Sequence, residues 1–386
     1  MHKVAIEEEF HTVDLATRRL VSAAPMLSER LSVDPFPESG KATVVALTTT
    51  SHAQLARLQG ELVDRRGVLA REAGRLRLGV MACGTAPMTN MSDVRLAPEG
   101  EPESDHLPAE PDRALATCGL RVRIDIEDRD LAARAMAWMT GHLSTLLALS
   151  ASSPFWCRRD TGYASWRHVL VERFPSSGPA GPLRSAREYD DLIRTLDDLD
   201  PGREGPRIHP ALRLRRQAPA LELRVCDAVP DVESAIAIAA LFRALYARAS
   251  DAVATGAQPP EVSAPLARAA MWRAARSGLE GELIDPVAAV ASPAATVVRR
   301  LVVELEPWLR AAEDFDHVES TIEDVLAHGN GAARQRVAAH DGGVEAAVDR
   351  MLARTIATIA LSESDARTGI DVETGSNPPA TVPESA

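Results

Sequence analysis

The chain has 386 residues, a formal net charge of −12, 45% hydrophobic and 25% charged residues. The hydrophobic content is typical of a globular protein with a sizeable core. The negative charge argues against nucleic acid or an anionic membrane surface as the main partner, because both attract a positive protein surface. No apolar run is long enough to span a bilayer, and the N-terminus is not typical of a signal peptide, so we expect a cytoplasmic protein with reduced cysteines.

Apolar and alternating segments predict five strands, at residues 4–10, 42–49, 76–82, 120–126 and 221–227. Leu55, Leu58 and Leu62 follow one another at helical spacing, so we predict a helix capped by Ser51 and continuing to about residue 76. Residues 231–360 read as one helix after another. Because several strands alternate apolar and charged residues, we predict a mainly antiparallel sheet with a polar concave face and helices on its other face.

The same pattern indicates one α+β domain over residues 1–363. Residues 97–113 are rich in Pro, Glu and Asp without periodicity, which predicts a flexible acidic loop within that domain. Residues 364–386 are polar and contain Pro and Gly, which predicts a disordered tail.

Acidic residues within the strands are candidates for chemistry. Glu7 and Glu9 lie on one face of the first strand, because side chains alternate along a strand. Two neighbouring carboxylates repel each other, which a bound Mg²⁺ would offset; the alternative is an exposed edge strand with solvated acids. Glu222 and Arg224 form a second same-face pair, which is either a metal ligand beside a phosphoryl clamp or a surface salt bridge.

Residues 158–167 form a loop dense in Arg, Tyr and Trp, and such loops on rigid scaffolds often bind ligands. The alternative is an irregular crossover packed on its own side chains. The segment Ser39-Gly-Lys-Ala42 is not a phosphate-binding loop, because it lacks the upstream glycine and the hydroxyl that would hold Mg²⁺.

Taken together, these segments resemble the carboxylate–amine ligase family, also called glutamate–cysteine ligase type 2. The resemblance runs from the Ile6-Glu-Glu-Glu-Phe10 opening to about residue 360. Its further landmarks, in chain order, are Thr117-Cys-Gly-Leu120, Arg159-Asp-Thr-Gly-Tyr163, Leu221-Glu-Leu-Arg-Val225, Trp272-Arg-Ala-Ala-Arg276, Gly278-Leu-Glu-Gly281 and Gly329-Asn-Gly331.

This resemblance implies a glutamine-synthetase-like fold and an enzyme that uses ATP and Mg²⁺. The implied reaction joins a glutamate-like carboxylate to a cysteine-like amine through an acyl phosphate. By the same resemblance Glu7, Glu9 and Glu222 are metal-ligand positions, and Arg224 is the catalytic arginine that contacts phosphate. Weaker candidates for nucleotide or substrate contacts are Arg121, Arg123, Tyr163, Arg167 and Arg273.

The chain also departs from the family pattern. Arg121 and Arg123 stand where the family usually has histidines, and a guanidinium cannot ligate a metal. Two further positions expected to be acidic are apolar here, at about Val45 and at Ala211. The alternative hypothesis is therefore a catalytically impaired member that acts as a binding or regulatory subunit. The amine substrate and the presence of a homo-oligomer stay open.

Overall fold

The computed structural model describes residues 1–90 except 33, 38 and 40, together with residues 116–174, 177–198 and 210–370, and side chains as far as residue 357. The acidic loop predicted at 97–113 lies outside the described residues, as does the predicted tail from residue 371. The last helix is described to Ile370, so residues 364–370, which were predicted as tail, are helical instead. The single-domain assignment stays a prediction.

Within this described part of the chain, the main sheet has six strands, all paired antiparallel. Its spatial order is β2 (Val44–Thr48), β1 (Val4–Asp14), β4 (Leu120–Asp125), β8 (Ala220–Leu223) and β7 (Leu212–Arg215), and β3 (Leu78–Met81) pairs with the second half of β1. Short hairpins are formed by β5 (Phe155–Trp156) with β6 (Arg159–Asp160) and by β9 (Glu282–Asp285) with β10 (Val290–Pro293). The predicted antiparallel arrangement is confirmed.

Helices account for most of the remaining described chain. They are α1 (Ala24–Ser28), α2 (Leu55–Arg75), α3 (Arg129–Met139), α4 (Leu143–Ser150), α5 (Trp166–Val171), α6 (Ala186–Asp198), α7 (Val232–Ala254), α8 (Ala264–Ser277), α9 (Ala294–Ala311), α10 (Phe315–His328) and α11 (Gly331–Ile370), with a 3₁₀ turn at Thr140–His142. Of the described helices, none is long and apolar enough to cross a membrane.

Side-chain alternation gives the sheet one apolar and one polar face. Ile6, Val122 and Leu221 are fully buried in the core, where α2, α3 and α7 cover the sheet. The next residue along each of these strands is Glu7, Arg123 or Glu222, and these side chains point to the opposite face. Burial of the apolar residues therefore determines which residues line the polar face.

The helix after β2 begins later than the sequence predicts. Ser51 does not cap it, because its hydroxyl donates to Asp125 at 3.0 Å and the backbone of His52 still pairs with Val4. The residue before α2 is Gln54, which makes no side-chain cap. The sheet thus extends through residues that the local pattern assigned to the helix.

One ion pair lies on the apolar face of the sheet. Glu8, which alternation separates from its two acidic neighbours, accepts from Arg66 of α2 at 2.6 and 2.9 Å. Both side chains are 1% exposed, and the guanidinium also donates to the carbonyl of Val229 at 3.0 Å. The pair therefore joins α2, β1 and the segment that leads into α7.

We expect Arg66→Ala to lower the free energy of unfolding by about 3–5 kcal/mol, because the substitution leaves the Glu8 carboxylate buried without a counter-charge. Urea unfolding followed by circular dichroism measures the difference. Arg299→Ala is the matched control, since Arg299 pairs with Glu323 on the surface and its loss should cost less than about 1 kcal/mol. Equal effects of the two substitutions would contradict a structural role for the buried pair.

Candidate functional site

The predicted carboxylates lie together on the polar face of the sheet. Glu7 and Glu9 come from β1, and Glu222 comes from β8 on the far side of β4. Between them, β4 contributes Arg121 opposite Glu7 and Arg123 opposite Glu222. The strand register thus places Arg121 opposite an acid of β1 and Arg123 opposite an acid of β8.

Arg121 joins the two carboxylates of β1. One of its terminal nitrogens contacts Glu7 and the other lies 3.2 Å from Oε1 of Glu9. Glu9 and Glu7 raise the pKa of Arg121 and burial opposes the increase. The guanidinium is therefore charged at any pH at which the protein is folded, and both carboxylates have a fixed counter-ion.

Glu9 is buried and contacts two cations and a backbone amide. Its carboxylate accepts from the amide of Gly119 at 2.9 Å and from Nζ of Lys41 at 3.2 Å, in addition to Arg121. Burial alone would raise the pKa of Glu9, but the two cations and the amide outweigh it and hold that pKa well below its usual range. Next along the strand, burial lowers the pKa of His11 to about 3, so its ring is neutral at pH 7.

Glu222 is surrounded by arginines. Nε of Arg224 lies 3.3 Å and a terminal nitrogen of Arg215 3.6 Å from its carboxylate. The register also places Arg123 of β4 and Arg213 of β7 directly opposite it on its two sides. The acid is 4% exposed, so it acts as an internal counter-charge for this group of cations.

Arg224 lies in an electropositive environment. Burial lowers the pKa of its guanidinium to about 10, and the positive charge of Arg121 adds to the decrease. Arg224 remains protonated at pH 7, but an additional anion next to it would be favourable, because opposite charge stabilises the charged form.

A buried carboxylate holds Arg167 beneath this face. Asp227 is fully buried, accepts from Ser153 and Ser165 at 2.7 and 2.9 Å, and lies 3.7 Å from Arg167. A Cβ on Gly119 would come within 2.6 Å of the Arg167 guanidinium. A side chain at position 119, which directly precedes β4, would therefore clash with Arg167 in its present position.

The structure does not bring Tyr163 and Arg273 to the acidic residues. Tyr163 stacks with Trp166 at 5.5 Å between ring centroids and accepts from Trp272 at 3.3 Å. Arg273 is tied to Glu282 of β9 at 3.1 Å, and its described contacts are made there. Any role for these two side chains in binding stays a prediction.

The structure shows where the two positions that were expected to be acidic lie. Val45 lies opposite Phe10 and faces the core, whereas Ala46, opposite Glu9, occupies the polar face. The predicted position was therefore one residue away from the site. Ala211 lines a cavity of about 30 Å³ together with Arg167 and Arg224. Because alanine stands where an acidic residue was expected, these arginines have less negative charge nearby.

Sequence reasoning missed Lys41 and the two arginines of β7. Lys41 is one of only two lysines in the chain, and its Nζ reaches both Glu9 and the carbonyl of Thr117, at 3.2 and 2.8 Å. Arg213 and Arg215 alternate with Leu212 and Leu214, the same pattern that identified Glu222 on the neighbouring strand. That alternation was the signal that could have found them.

The acidic residues as placed do not fit a Mg²⁺ ion. Within the described ranges, no three His, Cys, Asp or Glu side chains are positioned to share a metal. The space between Glu7, Arg121 and Glu222 is about 10 Å³, close to the minimum for one water molecule. A hard divalent ion needs six oxygen ligands, which this pocket of paired charges does not offer.

The polar face is better suited to an anion. Cationic side chains outnumber carboxylates on it: the cations are Lys41, Arg121, Arg123, Arg213, Arg215 and Arg224, and the acids are Glu7, Glu9, Glu222 and Asp125, which follows Arg121 and Arg123 on the same side of β4. Arg123 and Arg213 make no salt bridge within the described part of the chain. A phosphate or carboxylate group would therefore meet an excess of positive charge and several N–H donors.

Comparison with known sequences identifies one family. The sequence model described as glutamate–cysteine ligase family 2 (GCS2) matches residues 3–350. A protein of Frankia casuarinae, provisionally named glutamate–cysteine ligase 2-2, is 41% identical over 360 residues, which cover 91% of this chain and 41% of the relative. A Mycolicibacterium smegmatis protein of the same provisional name is 40% identical over 368 residues, covering 92% of this chain and 91% of the relative. The chain thus spans less than half of the first relative.

Solved structures show the same fold. The glutamate–cysteine ligase of Francisella tularensis, crystallised in complex with AMP, superposes with a TM-score of 0.63 at 13% identity, over 96% of this chain and 93% of that one. A bifunctional glutathione synthetase from Pasteurella multocida gives 0.60 at 13% identity, over 93% and 52%. The predicted glutamine-synthetase-like α+β fold is confirmed.

Glu9→Gln tests the electrostatics of the site. At pH 7 we expect a loss of about 1–3 kcal/mol in the free energy of unfolding, because the amide keeps the volume but removes the charge that Lys41 and Arg121 neutralise. Glu9 is ionised in the native state while the unfolded chain takes up a proton below the usual value of 4.5. The stabilisation is therefore complete above that pH and is lost as the pH falls towards the native pKa.

Urea unfolding of wild type and Glu9→Gln between pH 7 and pH 3 measures the difference in their free energy of unfolding. We expect this difference to become smaller below pH 4.5. Glu282→Gln is the matched control, because it removes an exposed partner of Arg273 and should change stability by less than about 1 kcal/mol. A gap for Glu9→Gln that stays constant down to pH 3 would contradict the ion pairs described here.

Proposed function

The chain belongs to the glutamate–cysteine ligase 2 family, and from this premise we propose that it is an ATP-dependent carboxylate–amine ligase. The proposed substrates are a glutamate-like carboxylate and a cysteine-like amine. The family match over residues 3–350 is the observation that carries the proposal. The AMP bound by the Francisella enzyme, which has the same fold, supports an adenine nucleotide as the ligand.

The proposed reaction has two steps. A carboxylate oxygen of the first substrate attacks the γ-phosphorus of ATP, the bond to the bridging oxygen breaks, and ADP leaves. The amine nitrogen then attacks the carbonyl carbon of the acyl phosphate, inorganic phosphate departs, and the nitrogen releases a proton to solvent. The product is an amide.

The protein's own groups can supply the positive charge that these steps need. Arg224, next to Glu222 and close to Arg121, is positioned to stabilise negative charge that develops on a transferring phosphoryl group. Arg167, held by Asp227, donates to the carbonyls of Arg224 and Val225 and so helps to position the backbone that carries Arg224. Because the acidic residues do not fit Mg²⁺, the arginines are the proposed source of positive charge in both steps.

We place this activity in the cytoplasm, where ATP is available and where thiols stay reduced. The cysteines Cys83, Cys118, Cys157 and Cys226 are all free, and three of them are buried. Burial raises the pKa of Cys83 and Cys226, the latter to about 12, so these thiols are unreactive at pH 7.

A second function, that of a non-catalytic binding or regulatory member of the family, is favoured by one observation. The carboxylates of Glu7 and Glu9 are already neutralised by Arg121, so they are not available as ligands for a catalytic metal. Release of ADP that depends on both glutamate and an amine would exclude this function. Nucleotide binding without any such release would support it.

Arg224→Ala tests the ligase. We expect kcat for ADP release to fall by about 10²–10³-fold, because a donor to the developing phosphoryl charge is removed, while Arg224→Lys should retain part of the activity. A coupled ADP assay with glutamate and a panel of amines measures the rate. Arg299→Ala, which breaks a surface pair, is the control and should leave the rate unchanged. Full activity of Arg224→Ala would contradict the assignment of this arginine.

A further inference from the structure

The position of Arg121 has a consequence for how a nucleotide binds. Its guanidinium lies between Glu7 and Glu9 and contacts both of them. The side chain is 24% exposed and anchored on a central strand of the sheet, so it is a permanent part of the face. A guanidinium is not deprotonated in proteins, and this charge is therefore present at every pH at which the fold exists.

The positive charge around Glu222 is likewise a fixed part of the folded structure. Arg215 and Arg224 contact this acid, and Arg123 and Arg213 are its neighbours across the sheet. These four cations lie around the carboxylate of Glu222. The field on this side of β4 is therefore positive before any ligand binds, although the whole chain carries a net charge of −12.

We propose that the polar face binds a nucleoside triphosphate as the metal-free polyanion, with Arg121 occupying the place that a divalent ion would take between Glu7 and Glu9. The nucleotide as ligand rests on the proposed function. The absence of a metal requirement rests on the described side chains. The guanidinium of Arg121 and the ammonium of Lys41 together balance the two carboxylate charges that would otherwise repel phosphate, and the neighbouring arginines then attract it.

This arrangement predicts the sign of the metal effect. The Mg²⁺ complex of ATP carries less negative charge than free ATP, so a positive face without a metal site holds the complex more weakly. A face with a metal site behaves in the opposite way, because the ion bridges the carboxylates and the phosphates. The two arrangements are therefore distinguished by the direction of one change.

The first experiment uses the unmodified full chain. Isothermal titration with ATP is carried out in EDTA and again in excess Mg²⁺, at the same ionic strength because screening alone changes such affinities. We expect binding in EDTA that is equal to or tighter than binding in Mg²⁺. Binding that is tightened about tenfold or more by Mg²⁺ would overturn the proposal.

Arg121→Ala should reverse the direction. Without the guanidinium, Glu7 loses its described counter-charge and Glu9 keeps only Lys41, so metal-free ATP should bind about tenfold more weakly and added Mg²⁺ should restore binding. Arg121→Lys keeps the charge and should behave like wild type. Arg213→Ala is the matched control: it removes one cation from the same face without touching Glu7 or Glu9, so it should weaken both forms of ATP without reversing their order.

Glu7→Gln is a second variant for the case in which Arg121→Ala does not fold. It removes one carboxylate and leaves the guanidinium, so metal-free ATP should bind as tightly as to wild type or more tightly. If Glu7 were a metal ligand, this variant would instead lose Mg²⁺-dependent binding, and the proposal would fail.

The outcomes separate this inference from the ligase function. Metal-free binding without amide formation supports the inference and contradicts the ligase. Mg²⁺-dependent binding together with ADP release supports the ligase and overturns the inference. No binding of ATP in either form would overturn both.

Discussion

The contact of Arg121 with Glu7 and Glu9 is the interaction on which the polar face depends. It is fixed by backbone pairing, because the antiparallel register of β1 and β4 places Glu7 directly opposite Arg121. Without this guanidinium, one strand face would carry two neighbouring carboxylates that repel each other. The pairing of β1 with β4 therefore determines which charges lie next to each other in the site. A change in the register of these strands would change the electrostatics of the site as well.

The polar face also shows how an acidic protein can carry a locally positive surface. The net charge of −12 belongs to the whole surface, whereas binding responds to the field at the site. On the face, Glu7, Glu9 and Glu222 each contact at least one cation, so these acids position cationic side chains. The pKa of Arg224 is lowered mainly by burial, and the positive charges of Arg121 and Arg213 add to the decrease while Glu222 opposes it.

Much of this fold follows from local patterns, but the contacts within the site do not. Alternation in residues 120–126 and 221–227 was sufficient to predict the strands and to place Arg121, Arg123 and Glu222 on one face. The pairing of Arg121 with Glu7 joins residues 114 positions apart, and the register that produces it depends on core packing and hydrogen bonding along whole strands. The misplacement at Val45 has the same origin, because an error of one residue moves a side chain to the other face.

Glu7 and Glu9, two acids on one face of β1, require a compensating positive charge. That requirement does not identify the source of the charge. Here it comes from a side chain of the next strand, which cannot dissociate as a metal ion can. Glu7 and Glu9 therefore hold Arg121 in place, and their presence alone does not indicate a metal site. The charge of the face is consequently independent of metal supply.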